Sequence, residues 1–137
     1  MNKVLVYGTL KKGGGLHHYL EGAEYFGRAH LHGFKMFDLG WFPGIVPGEH
    51  TDVIRGEVFI VDDRTLSLLD EVESAPSLYR REEHTAVFLK HSLPRRKPED
   101  RCPDQHKVFT YIYNLPLSAI KSRQITSGWY PVSGGSS

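Results

Sequence analysis

The feature that most constrains this chain lies at its start. Val4-Leu5-Val6 is an apolar, β-branched run that enters Tyr7-Gly8-Thr9-Leu10 and then breaks into Lys11-Lys12-Gly13-Gly14-Gly15. A short apolar run bounded by turn residues predicts a strand over residues 3–7 buried on both faces. A strand that ends in a glycine-rich turn leaves several backbone N–H groups at its end. Such groups can hold an anion without any cationic side chain.

Downstream, residues 16–21 suit a short helix. Residues 23–39 read as strand-rich, with Gly22, Gly27, Gly33 and Gly40 as bends or bulges. Residues 41–48, Trp41-Phe42-Pro43-Gly44-Ile45-Val46-Pro47-Gly48, read as a loop with a polar tip at 49–52. A strand is expected over 55–61. Asp62-Asp63 can cap a helix over residues 64–73. Strands follow over 79–90 and 108–114, separated by a Pro- and charge-rich surface loop at 91–107. In the last strand Phe109, Tyr111 and Tyr113 share a face by period-two alternation. Many strands, few helices and no βαβ alternation point to an α+β fold, a small mixed β-barrel with flanking short helices. One domain is expected over residues 1–130, with residues 131–137 a disordered tail.

The 137 residues suffice for one sizeable core. Lys+Arg 17 against Asp+Glu 16 gives no electrostatic reason to expect nucleic acid or membrane as partner. The lone Cys102 forms no intramolecular disulfide, and the N-terminal apolar run is too short to span a bilayer, so a cytoplasmic location is expected. Residues 8–15 lack the Gly-Lys-[Ser/Thr] ending of a phosphate loop. His30 and His32 share a strand face and His17-His18 could approach them, but no third ligand has a recognisable metal spacing. Arg95-Arg96-Lys97 sits among acidic residues and reads as solvated surface. Cys102 reads as an inert loop thiol. Trp41-Phe42 suits either a pocket wall or the core.

The predicted helix carries a carboxylate on its apolar side. At 100° per residue Glu73 projects between Leu66 and Leu69, Glu71 faces solvent, and Asp70 lies at the stripe's edge. A carboxylate there is costly unless it is paired or lines a cleft, and partial desolvation raises its pKa toward that of a general base. The plainer alternative is a helix-end Glu73 bonded to Arg80 or Arg81.

Taken together, Tyr7-Gly8-Thr9-Leu10, Phe42-Pro43-Gly44, Gly56-Glu57-Val58, Leu69-Asp70-Glu71-Val72-Glu73, Tyr79-Arg80-Arg81, Tyr111-Ile112-Tyr113 and Ile125-Thr126-Ser127-Gly128-Trp129 run in order through residues 4–130. In this order and spacing the chain resembles the gamma-glutamylcyclotransferase-like family. The stretch from Leu69 to Arg81 is most similar to its gamma-glutamylamine cyclotransferase branch.

The resemblance implies a small barrel with a cavity near the end of the first strand. It also implies release of 5-oxoproline and a free amine from a small gamma-glutamyl amine or amide, without metal or other cofactor. Carried over, the backbone of Tyr7, Gly8, Thr9 and Leu10 holds the substrate α-carboxylate, and Glu73 is the catalytic carboxylate. Tyr113, with Tyr111, lines the cavity or donates to the oxyanion. The glycine run 13–15 forms a flexible rim. A second reading keeps the same pocket for a small carboxylate-bearing metabolite in a non-catalytic binding module. Oligomeric state is open.

Overall fold

The computed structural model describes residues 1–40, 42–88, 105–117 and 122–132. Trp41, Cys102, the Arg95-Arg96-Lys97 cluster, most of the 91–107 loop and the 133–137 tail lie outside the described residues.

Strands β1 (Asn2–Val6), β2 (Glu24–His32), β5 (Val53–Val61), β6 (Tyr79–Phe88) and β7 (Gln105–Tyr113) close into a barrel of order β1-β5-β2-β6-β7. All its ladders are antiparallel except the closing one, where Val4 of β1 lies beside Phe109 of a parallel β7. A second sheet of order β4-β3-β8 stands beside it, built from β3 (Phe34–Asp38), β4 (Pro43–Pro47) and β8 (Arg123–Gln124). The single α-helix among the described residues, α1 (Asp63–Val72), follows β5 directly, and a 3-10 helix covers His17–Leu20. The expected α+β barrel with few helices is what the chain forms.

The first strand is buried on both faces, as its composition requires. Leu5 belongs to one apolar cluster with Ala29, Leu31, Ile54, Val58, Phe88 and Ile112. Val4 and Val6 belong to another, with Phe59, Leu66, Leu69, Tyr79 and Tyr111, which α1 covers. Each fully buried aliphatic side chain contributes roughly 1.5–3 kcal/mol to holding these layers together.

Two sequence expectations are corrected, at residues 43–47 and 105–107; the expected bend at Gly33 is present, and one strand, β8, had no sequence signal. Residues 43–47 form β4, not a loop: the two prolines sit at the ends of a strand on the edge of its sheet, where a missing N–H removes no ladder bond. The strand-rich stretch 23–39 divides at Gly33, whose φ of 91° turns the chain from one sheet into the other. Residues 105–107, expected in the long loop, extend β7 because they pair with Thr85, Ala86 and Val87. The two-residue β8, too short to carry a periodic signal, is held by Phe37 and Asp38.

Candidate active site

The capping of α1 decides where its last carboxylate stands. Asp62 is the N-cap, its Oδ1 accepting from the Thr65 N–H at 2.7 Å. At the other end the Ser74 N–H donates to the Glu71 carbonyl at 3.1 Å and the Ala75 N–H to the Asp70 carbonyl at 2.9 Å. Ser74 is left-handed, at φ 54°. This is the Schellman arrangement with serine where glycine is usual. Glu73 is therefore the C-cap, one residue beyond the helix, its N–H donating to the Leu69 carbonyl at 2.9 Å.

Glu73 opens into a cavity of about 160 Å³ whose lining includes Tyr7, Gly8, Thr9, Leu10, Pro43, Tyr79 and Tyr111. The strand-end turn and the helix-end carboxylate, some 65 residues apart in sequence, thus face one space. Tyr113 is not among the lining residues. Its ring meets that of Tyr79 edge to face at 5.7 Å, and its Cβ lies against Gly44. Tyr79 and Tyr111 are the cavity's other tyrosines. Alternation along β7 places Tyr111 and Tyr113 in the same cluster but does not say which reaches the opening.

The turn at the end of β1 is firmly built. The Lys11 N–H closes it on the Gly8 carbonyl at 3.1 Å, and His17 Nδ1 donates to the Leu10 carbonyl at 2.9 Å. The N–H groups of Gly8, Thr9 and Leu10 donate to no protein acceptor among the described residues, so they remain available to an anion. Gly8 is required because a Cβ there would come within 2.8 Å of the Pro43 ring. The glycine run, expected from sequence as a flexible rim, is not among the residues that line the cavity. Gly14 bonds Lys11 at 2.9 Å and packs so closely on Thr9 that a Cβ would reach its carbonyl oxygen at 2.1 Å.

The electrostatics separate Glu73 from every other acid nearby. Arg81 pairs with Asp70 at 2.8 Å, and Arg80 pairs with Glu82 and Asn114, so neither arginine is the partner of Glu73. Among the described residues no donor bonds the Glu73 carboxylate. Burial without compensation pushes its pKa up from 4.5 to about 7. Burial also raises the phenols of Tyr7, Tyr79 and Tyr111, and the Glu73 charge adds to each.

Those three hydroxyls are all committed as donors. Tyr7 donates to the Tyr111 carbonyl at 2.7 Å, Tyr79 to the Pro43 carbonyl at 2.6 Å, and Tyr111 to Asp70 Oδ1 at 2.7 Å. Tyr79 and Tyr111 therefore offer oxygen lone pairs, not a proton, to the cavity, while the Tyr7 oxygen also accepts the Ile45 N–H. The oxyanion-donor role expected of Tyr111 conflicts with this bond to Asp70. Asp70, read from sequence only as the stripe's edge, is what orients that hydroxyl. Helical periodicity places Asp70 correctly but carries no sign of a partner on β7.

A solved AIG2-like protein from Mus musculus superposes with a TM-score of 0.70 at 26% identity, covering 90% of this chain and 86% of its own. Fold and cavity together define the chain as a small AIG2-like barrel with its pocket at the end of the first strand. The profile of the family "Gamma-glutamyl cyclotransferase, AIG2-like" matches residues 4–132, and the chain belongs to that family. A putative gamma-glutamylcyclotransferase of Vibrio cholerae is 40% identical over 80 residues, 58% of this chain and 68% of that protein. The gamma-glutamylaminecyclotransferase of Homo sapiens is 32% identical over 127 residues, 81% of this chain and 78% of that protein. No helix among the described residues is long and apolar enough to cross a membrane.

Proposed function

We propose that this protein is a cyclotransferase that releases 5-oxoproline and a free amine from a small gamma-glutamyl amine or amide, with Glu73 as general acid and base. The observation that carries this reading is the pairing, in one cavity, of an unpartnered carboxylate of pKa about 7 with the free N–H groups of residues 8–10. The human relative's name supports the amine branch.

The residues suit the chemistry. The substrate α-carboxylate sits on the turn's N–H groups. Its α-ammonium is a donor, and the Glu73 carboxylate and the Tyr79 and Tyr111 oxygens are acceptors for it. Ionised Glu73 takes one proton from that ammonium, and the freed amine forms the C–N bond to the γ-carbonyl carbon. The ring nitrogen then carries two hydrogens and a positive charge. As the tetrahedral centre collapses, Glu73 gives its proton to the leaving nitrogen while the bond to it breaks, and the regenerated carboxylate takes the second proton from the ring nitrogen and passes it to the departing amine, which leaves as an ammonium and restores Glu73. The reaction is intramolecular, so holding the glutamyl chain folded supplies much of the rate.

The test is a mass-spectrometric screen of gamma-glutamyl amines and dipeptides for 5-oxoproline, run on wild type, Glu73→Gln and Glu71→Gln. Wild type and Glu71→Gln should turn over alike, and Glu73→Gln should lose about 10²–10⁴-fold. Product formation by Glu73→Gln at the wild-type rate removes Glu73 from the role of base. Saturable ligand binding by calorimetry with no product would favour the binding-module reading.

A further inference from the structure

On the outer wall of the barrel, away from Glu73, a second cavity of about 360 Å³ runs between β2, β5 and the C-terminal segment around Ser127 and Trp129. It shares no lining residue with the first. The segment is pinned there by the Arg55 N–H, which donates to the Gly128 carbonyl at 2.7 Å. The charged side chains lining the cavity are all basic: Arg28, Arg55 and His30, with no Asp or Glu.

The ladder register brings these basic groups together on one face, with Glu57 opposite Arg28 and no carboxylate opposite Arg55. His30 lies directly opposite Arg55, and Arg28 is two residues from His30 on the same face. A protonated His30 would repel the Arg55 guanidinium opposite it. No carboxylate among the described residues pairs with Arg55. The imidazole of His30 responds: burial first, then Arg55, then His32 lowers its pKa. A bound anion would give Arg55 a partner and favour the protonated imidazole beside it.

The ligand's shape follows from what the walls offer. Two guanidiniums and an imidazole match an oxyanion that accepts several hydrogen bonds. The Trp129 ring is already engaged by protein cations, Lys11 Nζ at 3.3 Å and Arg28 at 4.9 Å from its centroid, which leaves a poor platform for a nucleobase.

We propose that this outer cavity is a second, separate binding site that takes a compact oxyanion of the phosphate class, free phosphate or a small phosphate monoester. Arg55 is its principal anchor, and His30 and Arg28 complete it. The proposal does not depend on the reaction assigned to Glu73.

Inorganic phosphate, titrated into the protein at constant ionic strength and followed by backbone amide NMR, tests it. Saturable shifts are expected at residues 28–30, 55 and 127–129. Arg55→Gln, on an exposed side chain whose loss leaves the rest of the spectrum in place, should weaken binding about tenfold. Phosphate should also move the His30 titration to higher pH, against the burial and the Arg55 and His32 charges that lower it. Glycerol phosphate in a parallel titration separates the sources: tighter binding indicates a monoester, equal binding the free ion. Non-saturating shifts, saturable shifts confined to residues 8–10, or an affinity unchanged by Arg55→Gln would overturn the site.

Discussion

Two glutamates flank the turn that ends β1, and the protein treats them in opposite ways. Glu57 is 6% exposed and accepts the Lys12 N–H at 2.8 Å. Beside it Lys11 is fully buried, its Nζ donating to the Tyr130 carbonyl and resting over the Trp129 ring, with the Glu57 charge opposing the burial that lowers its pKa to about 8. Glu73, on the cavity side, is only partly buried, yet no donor reaches it. Burial is therefore not what marks the reactive group. No donor reaches Glu73, so burial lifts its pKa to about 7, where it can exchange a proton near neutral pH.

The largest expected effect belongs to Glu73 and has two opposite signs. In activity, kcat/KM should rise with pH through about 7 as the carboxylate ionises, a limb that Glu73→Gln abolishes. In stability, the folded state favours the protonated form. Ionisation of Glu73 therefore costs stability progressively between pH 4.5 and about 7 and by a constant amount above. At pH 8 that cost is up to about 3 kcal/mol. Thermal unfolding of Glu73→Gln should show a higher Tm than wild type at pH 8 and no advantage below pH 4.5. An equal Tm at both pH values would mean the site is wetter than the cavity indicates.

Glu57→Ala sharpens the comparison from the other side. It strips a buried ammonium of its compensating charge and an N–H of its acceptor. A loss of about 3 kcal/mol is expected, visible as a Tm drop of roughly 10 °C. Glu57→Gln keeps an acceptor for Lys12 and should recover part of it. If Glu57→Ala proves silent, partnering at this corner has no energetic weight.

The sequence carried the strands, the helix and the two halves of the site, because each is a local pattern. Val4-Leu5-Val6 has no polar face, Asp62 stands where an N-cap must, and Glu73 falls on the Leu66–Leu69 stripe. What it did not carry is what depends on pairing between distant segments. Lys11, in sequence only one of two lysines before the glycine run, is fully buried against Trp129 and Tyr130 from the far end of the chain. Tyr111 and Tyr113 are equivalent by alternation, and the packing around Tyr79 decides that Tyr111 reaches the cavity. Prolines at 43 and 47 suggest a loop until an edge position in a second sheet makes them tolerable.

Asp70 offers a smaller effect within the cavity side itself. It leaves α1 three residues before Glu73 and is fully partnered, by Arg81 at 2.8 Å and by the Tyr111 hydroxyl at 2.7 Å. Asp70→Ala frees the Tyr111 proton to point elsewhere, so the cavity loses a fixed acceptor for the substrate ammonium. A loss in kcat/KM of about tenfold is expected, mostly through KM. Asp70→Asn, which keeps an oxygen for the hydroxyl, should restore most of it. Equal loss in both variants would shift the role from Tyr111 orientation to the Asp70 charge.

The smallest effect concerns the turn that sets Glu73 apart from Asp70. Ser74 holds a φ of 54° so that the Ser74 and Ala75 N–H groups can close on the helix's last carbonyls. A side chain in that conformation is strained, and glycine is not. Ser74→Gly should stabilise the protein by about 0.5–1 kcal/mol, read from the urea midpoint, with kcat unchanged because the cap geometry is kept. Ser74→Val should do the reverse, lowering the midpoint and also the turnover, since a cap that opens no longer aims Glu73 at the strand-end turn. If Ser74→Val loses stability with activity intact, the position of Glu73 is set by its own burial beside Tyr79 and Tyr111, and the helix cap only terminates the chain's local structure.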